Sequence, residues 1–399
     1  MTDPQPSRRN GSPSEVFAAF LMLGLTSFGG PIAHLGYFRT EFVTRRGWLD
    51  ERGFADLVAL CQFLPGPASS QVGFAIGLMR AGPLGAAAAF AAFTLPSALL
   101  MIAFALSSAA LDGSVGHGVV SGLKIVAVAI VAQAVLGMAR ALCPDRERAA
   151  IAVLAVAMLA ALPGALGMIG AILAGALAGF ALGRGETAGR ENGLPPPLSR
   201  RGALACLAGF AALLLALPVL AGLTQGLALF DAFYRAAALV FGGGHVVLPL
   251  LESEVVRPGW ISAEDFLVGY GAAQAMPGPL FSFAAYLGAL GPAPNGLAGA
   301  AIALAAIFLP GFLLLLAVLP FWDALRRRRD AQSALQGANA AVVGILGAAL
   351  YDPVFTAGIG DMADFALALA CFVLLVAWKA PPWVAVLVAA LGGIVLSLA

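Results

Sequence analysis

Hydrophobic positions in this chain run in long unbroken blocks, with neither the strand alternation of 2 nor a polar face at helical spacing. The blocks fall at 16–38, 54–79, 83–110, 118–141, 149–162, 165–182, 202–223, 231–250, 265–290, 296–320, 332–350, 363–378 and 382–398. Turn chemistry separates them: Gly82-Pro83, Pro144-Asp145, Pro163-Gly164, Pro195-Pro196-Pro197, Pro292 and Pro381-Pro382. Neither 202–230 nor 266–322 contains an Asp, Glu, Lys, Arg or His. A spanning helix needs about 20 apolar residues. The pattern therefore predicts an all-α polytopic membrane protein with 12–13 transmembrane segments.

Composition agrees. Hydrophobic residues make up 61% of the 399 and charged residues 11%, against about a quarter charged in soluble domains. A net charge of +1 gives no electrostatic case for nucleic acid, so none is expected as a partner; the lipid bilayer is. Cys61, Cys143, Cys206 and Cys371 form no close pair, which argues against a disulfide framework or zinc ribbon. Residues 1–15 read as a polar tail with Arg8 and Arg9. The first apolar run is longer than a signal-peptide core and reads as a retained first span.

The blocks form two copies of one unit. Phe28-Gly29-Gly30 returns 213 residues later as Phe241-Gly242-Gly243-Gly244. Gln62-Phe63-Leu64-Pro65-Gly66-Pro67 returns 212 residues later as Gln274-Ala275-Met276-Pro277-Gly278-Pro279, and Trp48 and Trp260 share that spacing. The organisation expected is a tail (1–15), a first repeat (16–183), a linker with one extra segment (184–227) and a second repeat (228–399). Six segments plus one separate equivalent points, so parity predicts an inverted second copy.

With the N-terminus inside, Arg140, Arg146, Arg148, Arg184, Arg190, Arg200, Arg201, Arg326 to Arg329 and Lys379 fall on the cytoplasmic side. Two loops fit worse. Loop 39–52, with Arg39, Arg45, Arg46 and Arg52, would lie outside, and the acidic loop 251–265 would lie inside. If segments 54–79 and 265–290 were re-entrant hairpins, parity would change and the repeats would be parallel. The inverted arrangement is preferred.

What the copies share is helix-breaking backbone. Proline removes a donor and clashes with the preceding turn, and glycine adds freedom. A break inside hydrocarbon leaves carbonyls and amides that protein, water or substrate must satisfy. A half-helix starting after Pro67 would offer amides and its positive dipole end to an anion, and Ser69, Ser70 and Gln71 add neutral donors. After Pro279 come Leu280, Phe281 and Ser282, so the second site is less polar. A lone Pro-Gly-Pro reads as a kink; two in register, each preceded by glutamine (Gln62, Gln274), read as a transport site. The two glycine motifs read equally as substrate contact or as close helix packing.

Arg235, one turn into the segment leading to Phe241, is the better candidate for an anion counter-charge, with Lys124 second; snorkelling to the interface is the alternative for both. His34 and His245 follow the glycine motifs without aligning, and proton coupling competes there with simple packing. No Walker loop, metal-ligand spacing or nucleophile–base set is present, so neither cofactor nor enzyme chemistry is expected.

At these residues the chain resembles the chromate ion transporter family. The likeness rests on Leu25-Thr26-Ser27-Phe28-Gly29-Gly30-Pro31-Ile32-Ala33-His34, Gln62 to Pro67, Phe241-Gly242-Gly243-Gly244-His245-Val246-Val247-Leu248-Pro249-Leu250 and Pro277-Gly278-Pro279. It covers about 14–180 and 228–399, as in the long two-domain form. The resemblance implies export of chromate across the bacterial inner membrane, with sulfate as the related oxyanion and chromate resistance as the outcome. It leaves open whether a coupling proton or a counter-anion drives transport, and whether the chain is a homo-oligomer. A carrier or channel for sulfate or another small inorganic anion is the alternative.

Overall fold

The structure is a computed structural model and describes residues 11–108, 113–183 and 198–398. Most of the expected polar tail, and the part of the linker holding Arg184 and Arg190, lie outside the described residues.

Each copy opens with two hairpins. In the first, α1 (Pro13–Thr26) and α2 (Gly30–Phe38), extended by a π-helical turn at Arg39–Arg45, meet at Phe28-Gly29-Gly30. Phe20 packs on both Phe38 and Phe42, with ring centroids 5.6 and 4.7 Å apart, so the arms run antiparallel. The second hairpin joins α3 (Glu51–Phe63) to the first arm of α4 (Ala68–Ser108) through Pro65-Gly66-Pro67. Its two ends meet: the Arg80 guanidinium lies 5.1 Å from the Trp48 ring and pairs with Glu15 at 3.2 Å. At Ala81-Gly82 the backbone leaves helical geometry and α4 turns back on itself, with Gly77 and Gly85 touching across the turn. Its second arm, 83–108, then runs the depth of the molecule.

The second copy repeats this course. α9 (Gln225–Ala238) and α10 (Val247–Val255) flank the glycine tip, and α11 (Ala263–Ala275) and α12 (Phe283–Leu290) flank Pro277-Gly278-Pro279. The Tyr286 hydroxyl donates to the Asp265 carbonyl at 3.0 Å, closing the latter hairpin. Gly288 meets Gly299 where α12 turns into α13 (Gly296–Val318), the counterpart of Gly77 meeting Gly85. N-caps are duplicated too: Ser12 and Thr224, Asp50 and Ser262 each accept a backbone N–H of the following turn.

Three helices finish the first copy: α5 (Gly113–Leu142), α6 (Arg146–Ala161) and α7 (Ala165–Leu182). After α8 (Arg200–Leu220), the second copy ends, beyond the short α14 (Trp322–Leu325), with α15 (Arg329–Ala349), the single turn α16 (Thr356–Gly358), α17 (Met362–Val376) and α18 (Pro382–Leu398). Among the described residues six helices are long and apolar enough to cross a membrane: 68–107, 113–142, 165–182, 200–220, 296–325 and 329–358.

Orientation follows from packing. Gly118 touches Ile394 and Gly122 touches Ala389, so α5 and α18 are antiparallel. Gly175 meets Ala341 while Gly179 meets Ser333, so α7 and α15 are antiparallel as well. Small residues let these backbones approach, as membrane helices require. Within one copy α5 and α7 run the same way, separated by α6, and their partners are each other's counterparts. The second copy is therefore inverted.

This corrects the reading of 16–38 and 231–250 as spans, and decides for re-entry in 54–79 and 265–290, where the sequence leaves both courses open. Segments 16–38, 54–79, 231–250 and 265–290 fold back instead of crossing, because each carries its helix breaker at mid-length. Two hairpins per copy remove two crossings, so parity and inversion survive. They also remove the charge exceptions. Loop 39–52 now shares a face with Arg140, Arg146, Arg148, Arg326 to Arg329 and Lys379, and the acidic loop 251–265 moves to the opposite face.

Candidate functional site

The four hairpin tips come from opposite faces and meet. The Gly66 amide donates to the Val240 carbonyl at 2.9 Å, and the Gly278 amide donates to the Ser27 carbonyl, also at 2.9 Å. Each Pro-Gly-Pro tip thus binds the residue that precedes the other copy's glycine motif. Gly66 also abuts Gly311 on α13, and Gly278 abuts Ser97 on α4. Every such contact has its counterpart under the inverted symmetry.

These bonds answer the polar cost of breaking a helix in an apolar setting. Gln71 completes the first tip, its Nε2 donating to the Pro65 carbonyl at 3.1 Å and the Gly311 carbonyl at 2.9 Å. In the second copy the Ser282 hydroxyl reaches back to the Pro279 carbonyl at 2.5 Å. The outgoing helices α2, α4, α10 and α12 direct their N-terminal ends toward the junction, where the dipole favours negative charge.

Several buried polar atoms around the tips have no hydrogen-bond partner: Ser27 Oγ, His34 Nε2, Ser70 Oγ, Gln71 Oε1, Thr94 Oγ1 and Gln274 Nε2. Groups of this kind are costly unless a ligand or water meets them. His34 Nδ1 lies 3.4 Å from the Ser69 hydroxyl, and the Phe93 ring stands edge-on to the imidazole. The environment is neutral but rich in donors.

A sequence profile described as chromate transporter matches residues 14–180 and 227–394. The chain belongs to the chromate transporter family. It is 30% identical over 391 residues to a chromate transport protein of Pseudomonas aeruginosa, covering 95% of this chain and 90% of that one. It is 27% identical over 405 residues to a probable chromate transport protein of Synechococcus elongatus (94% and 93% covered), and 27% over 373 residues to a chromate transport protein of Cupriavidus metallidurans (90% and 87%). No solved structure matches it significantly. The profile stops and restarts at the boundary between the two inverted units, so the chromate transporter signature is itself a repeat.

Within this member of the family the expected site residues divide. Pro65, Gly66, Pro67, Ser69, Ser70, Gln274, Pro277, Gly278 and Pro279 are buried at the junction. Phe28, Gly30, Phe241 and Gly242 are half-buried there, Gly244 is buried against Pro31, and Gly29 and Gly243 are exposed at the tips. Gln62 stands apart, exposed on α3, although its counterpart Gln274 is buried. Arg235 is not a free counter-charge: it pairs with Asp231 and Glu254, both at 2.9 Å. Lys124 is likewise paired, with Glu264 at 3.4 Å.

One shared element was missed. Leu95-Pro96 and Leu309-Pro310, 214 residues apart, lie inside α4 and α13 just ahead of Ser97 and Gly311, the residues that receive the tips. The signal was present as a third doublet in register. It was hidden because a lone proline within a long apolar helix reads as an ordinary kink.

Proposed function

We propose that this protein is a secondary transporter that exports chromate by alternating access, with the hairpin junction as its anion site. The observation that carries this reading is the reciprocal pair of tip bonds, Gly66 to Val240 and Gly278 to Ser27. Tips that enter from opposite faces and hold one another at mid-depth can open to one side only by releasing the other. Inverted repeats with discontinuous helices suit this motion.

A tetrahedral dianion fits a junction lined by amides, hydroxyls and helix N-termini without a fixed cation, since tight binding to a buried arginine would slow release. Sulfate shares that shape and charge and is the expected competitor. The arginine-rich face is the cytoplasmic one by the positive-inside rule, which places loop 39–52 inside a bacterial inner membrane and loop 251–265 outside. Export would confer chromate resistance. The carrier does no enzyme chemistry, and its drive is a proton gradient or a counter-anion.

Everted membrane vesicles test this directly. Chromate uptake should depend on the protein, be inhibited by sulfate and respond either to collapse of the proton gradient or to removal of the exchanging anion. Counterflow of labelled sulfate in proteoliposomes should be observed for a carrier. Flux without counterflow would make the protein a channel and overturn alternating access.

A further inference from the structure

The two halves of the junction share a backbone but not their chemistry. The tip bonds and the Leu-Pro doublets fix the residue correspondence. Ser27 pairs with Val240, His34 with Val247, Ser69 with Phe281 and Thr94 with Phe308. Four polar positions of the first copy are therefore apolar in the second.

The difference is one of space as well as polarity. In the second copy Phe281 packs on Phe308 at 5.9 Å between ring centroids, and Phe308 stacks on Phe312 at 6.0 Å. Their counterparts are Ser69, Thr94 and Ala98, all small. The first-copy residues lie together. His34 touches Ser69 and the ring of Phe93, Phe93 precedes Thr94, and the Gly278 tip rests on Ser27, Phe93 and Ser97. His34 is fully buried, with Nε2 unpartnered.

We propose that the first copy alone builds the oxyanion-recognition subsite, with the His34–Ser69 pair as its recognition element and the phenylalanine cluster of the second copy as its closed wall. Each chain then binds one anion, not two. If Nδ1 accepts from the Ser69 hydroxyl, the neutral imidazole carries its hydrogen on Nε2. That atom is then a donor for an oxyanion oxygen at a position where the second copy has Val247. The inference rests on the oxyanion-transport reading above and names the half of the junction that performs it.

The test is equilibrium binding of chromate to the purified full-length protein, paired with chromate transport in proteoliposomes. Wild type should bind one chromate per chain. His34→Gln should weaken binding about tenfold or more, the loss expected for one hydrogen bond to a charged group. Ser69→Ala, which leaves the packing nearly intact, should weaken it several-fold. In transport both should raise KM more than they lower kcat, whereas Val247→Ala should change neither. Two chromates per chain, or unchanged binding in both His34→Gln and Ser69→Ala, would overturn the subsite. Binding of one chromate that is lost in these variants upholds it even if wild type moves no chromate, in which case the transport reading fails alone.

Discussion

The hairpin pair of the first copy and that of the second follow the same path, yet they sit differently in the molecule. The second pair is enclosed: α10, α11 and α12 are almost wholly buried, and α8 and α13 cover α9, with the Tyr234 hydroxyl donating to the Phe210 carbonyl at 3.1 Å. The first pair forms its own apolar cluster around Phe20, Phe38, Phe42 and Phe93, joined to the end of α13 through Leu315 and to α14 through Trp322. Its outer side stays open, with Leu25 54% and Ile32 86% exposed. α8 supplies the reason, for nothing among the described residues covers α1 as α8 covers α9. Duplication preserved the breaks, which geometry demands, and left the packing free to diverge.

The strongest way to break this comparison is at the tips. Gly66 has φ +118° and its Cβ would meet the Gly311 Cα at 3.0 Å; Gly278 has φ +95° and its Cβ would meet Ser97 Oγ at 2.9 Å. Alanine at all of Pro65, Gly66 and Pro67 should abolish chromate flux while membrane insertion, read by fractionation, persists. Gly66→Ala and Gly278→Ala alone should each lower kcat more than tenfold, since a left-handed φ costs an L-residue about 1–3 kcal/mol. Unchanged flux in the triple variant would remove the motif from the mechanism, and loss from only one of the single variants would make the tips unequal hinges.

Topology comes next. Cysteines introduced at Arg45 and Arg257 should react with an impermeant thiol reagent from opposite sides of the membrane. Labelling of both from one side would exclude the inverted hairpins.

The ion pair between Asp56 and Arg326 tests the open pair's anchorage. At 2.6 Å, with side chains 8% and 3% exposed, it ties α3 to the chain just beyond α14, and Val268 holds the equivalent place in the second copy. Asp56→Asn leaves a buried arginine short of its main counter-charge and should cost about 3–5 kcal/mol, read as a lower Tm in detergent. A Tm within error of wild type would mean that the pair anchors nothing.

The smallest effect is expected at Gln71, whose amide serves two carbonyls at the first tip. Gln71→Ala should cost about 1–3 kcal/mol, measured in the same assay, and more if the enclosed pair depends on that tip than if only the open pair does.

Much of this was legible in the linear pattern. The apolar blocks announce a membrane fold, and the doubled glycine and proline motifs announce both the duplication and the place where the breaks must be satisfied. The prolines could not reveal whether a broken segment continues or turns back, because a Pro-Gly-Pro permits either. Gln62 and Gln274 looked equivalent, but helix rotation exposes one and buries the other. Arg235 looked like a free cation because Asp231 and Glu254 reach it only once α9 and α10 fold together.

The sequence by itself determined the solvent, the two copies and the four break points, since these depend on local backbone chemistry and on the apolar length of each block. Only the tertiary structure decided that the breaks are hairpin tips, that tips of opposite copies bind one another, and that Ser27, His34, Ser69 and Thr94 gather where the second copy places valine and phenylalanine. Those facts depend on which residues meet far apart along the chain, Gly66 with Val240 and Ser27 with Gly278, and in a uniformly apolar sequence no periodicity records such a meeting.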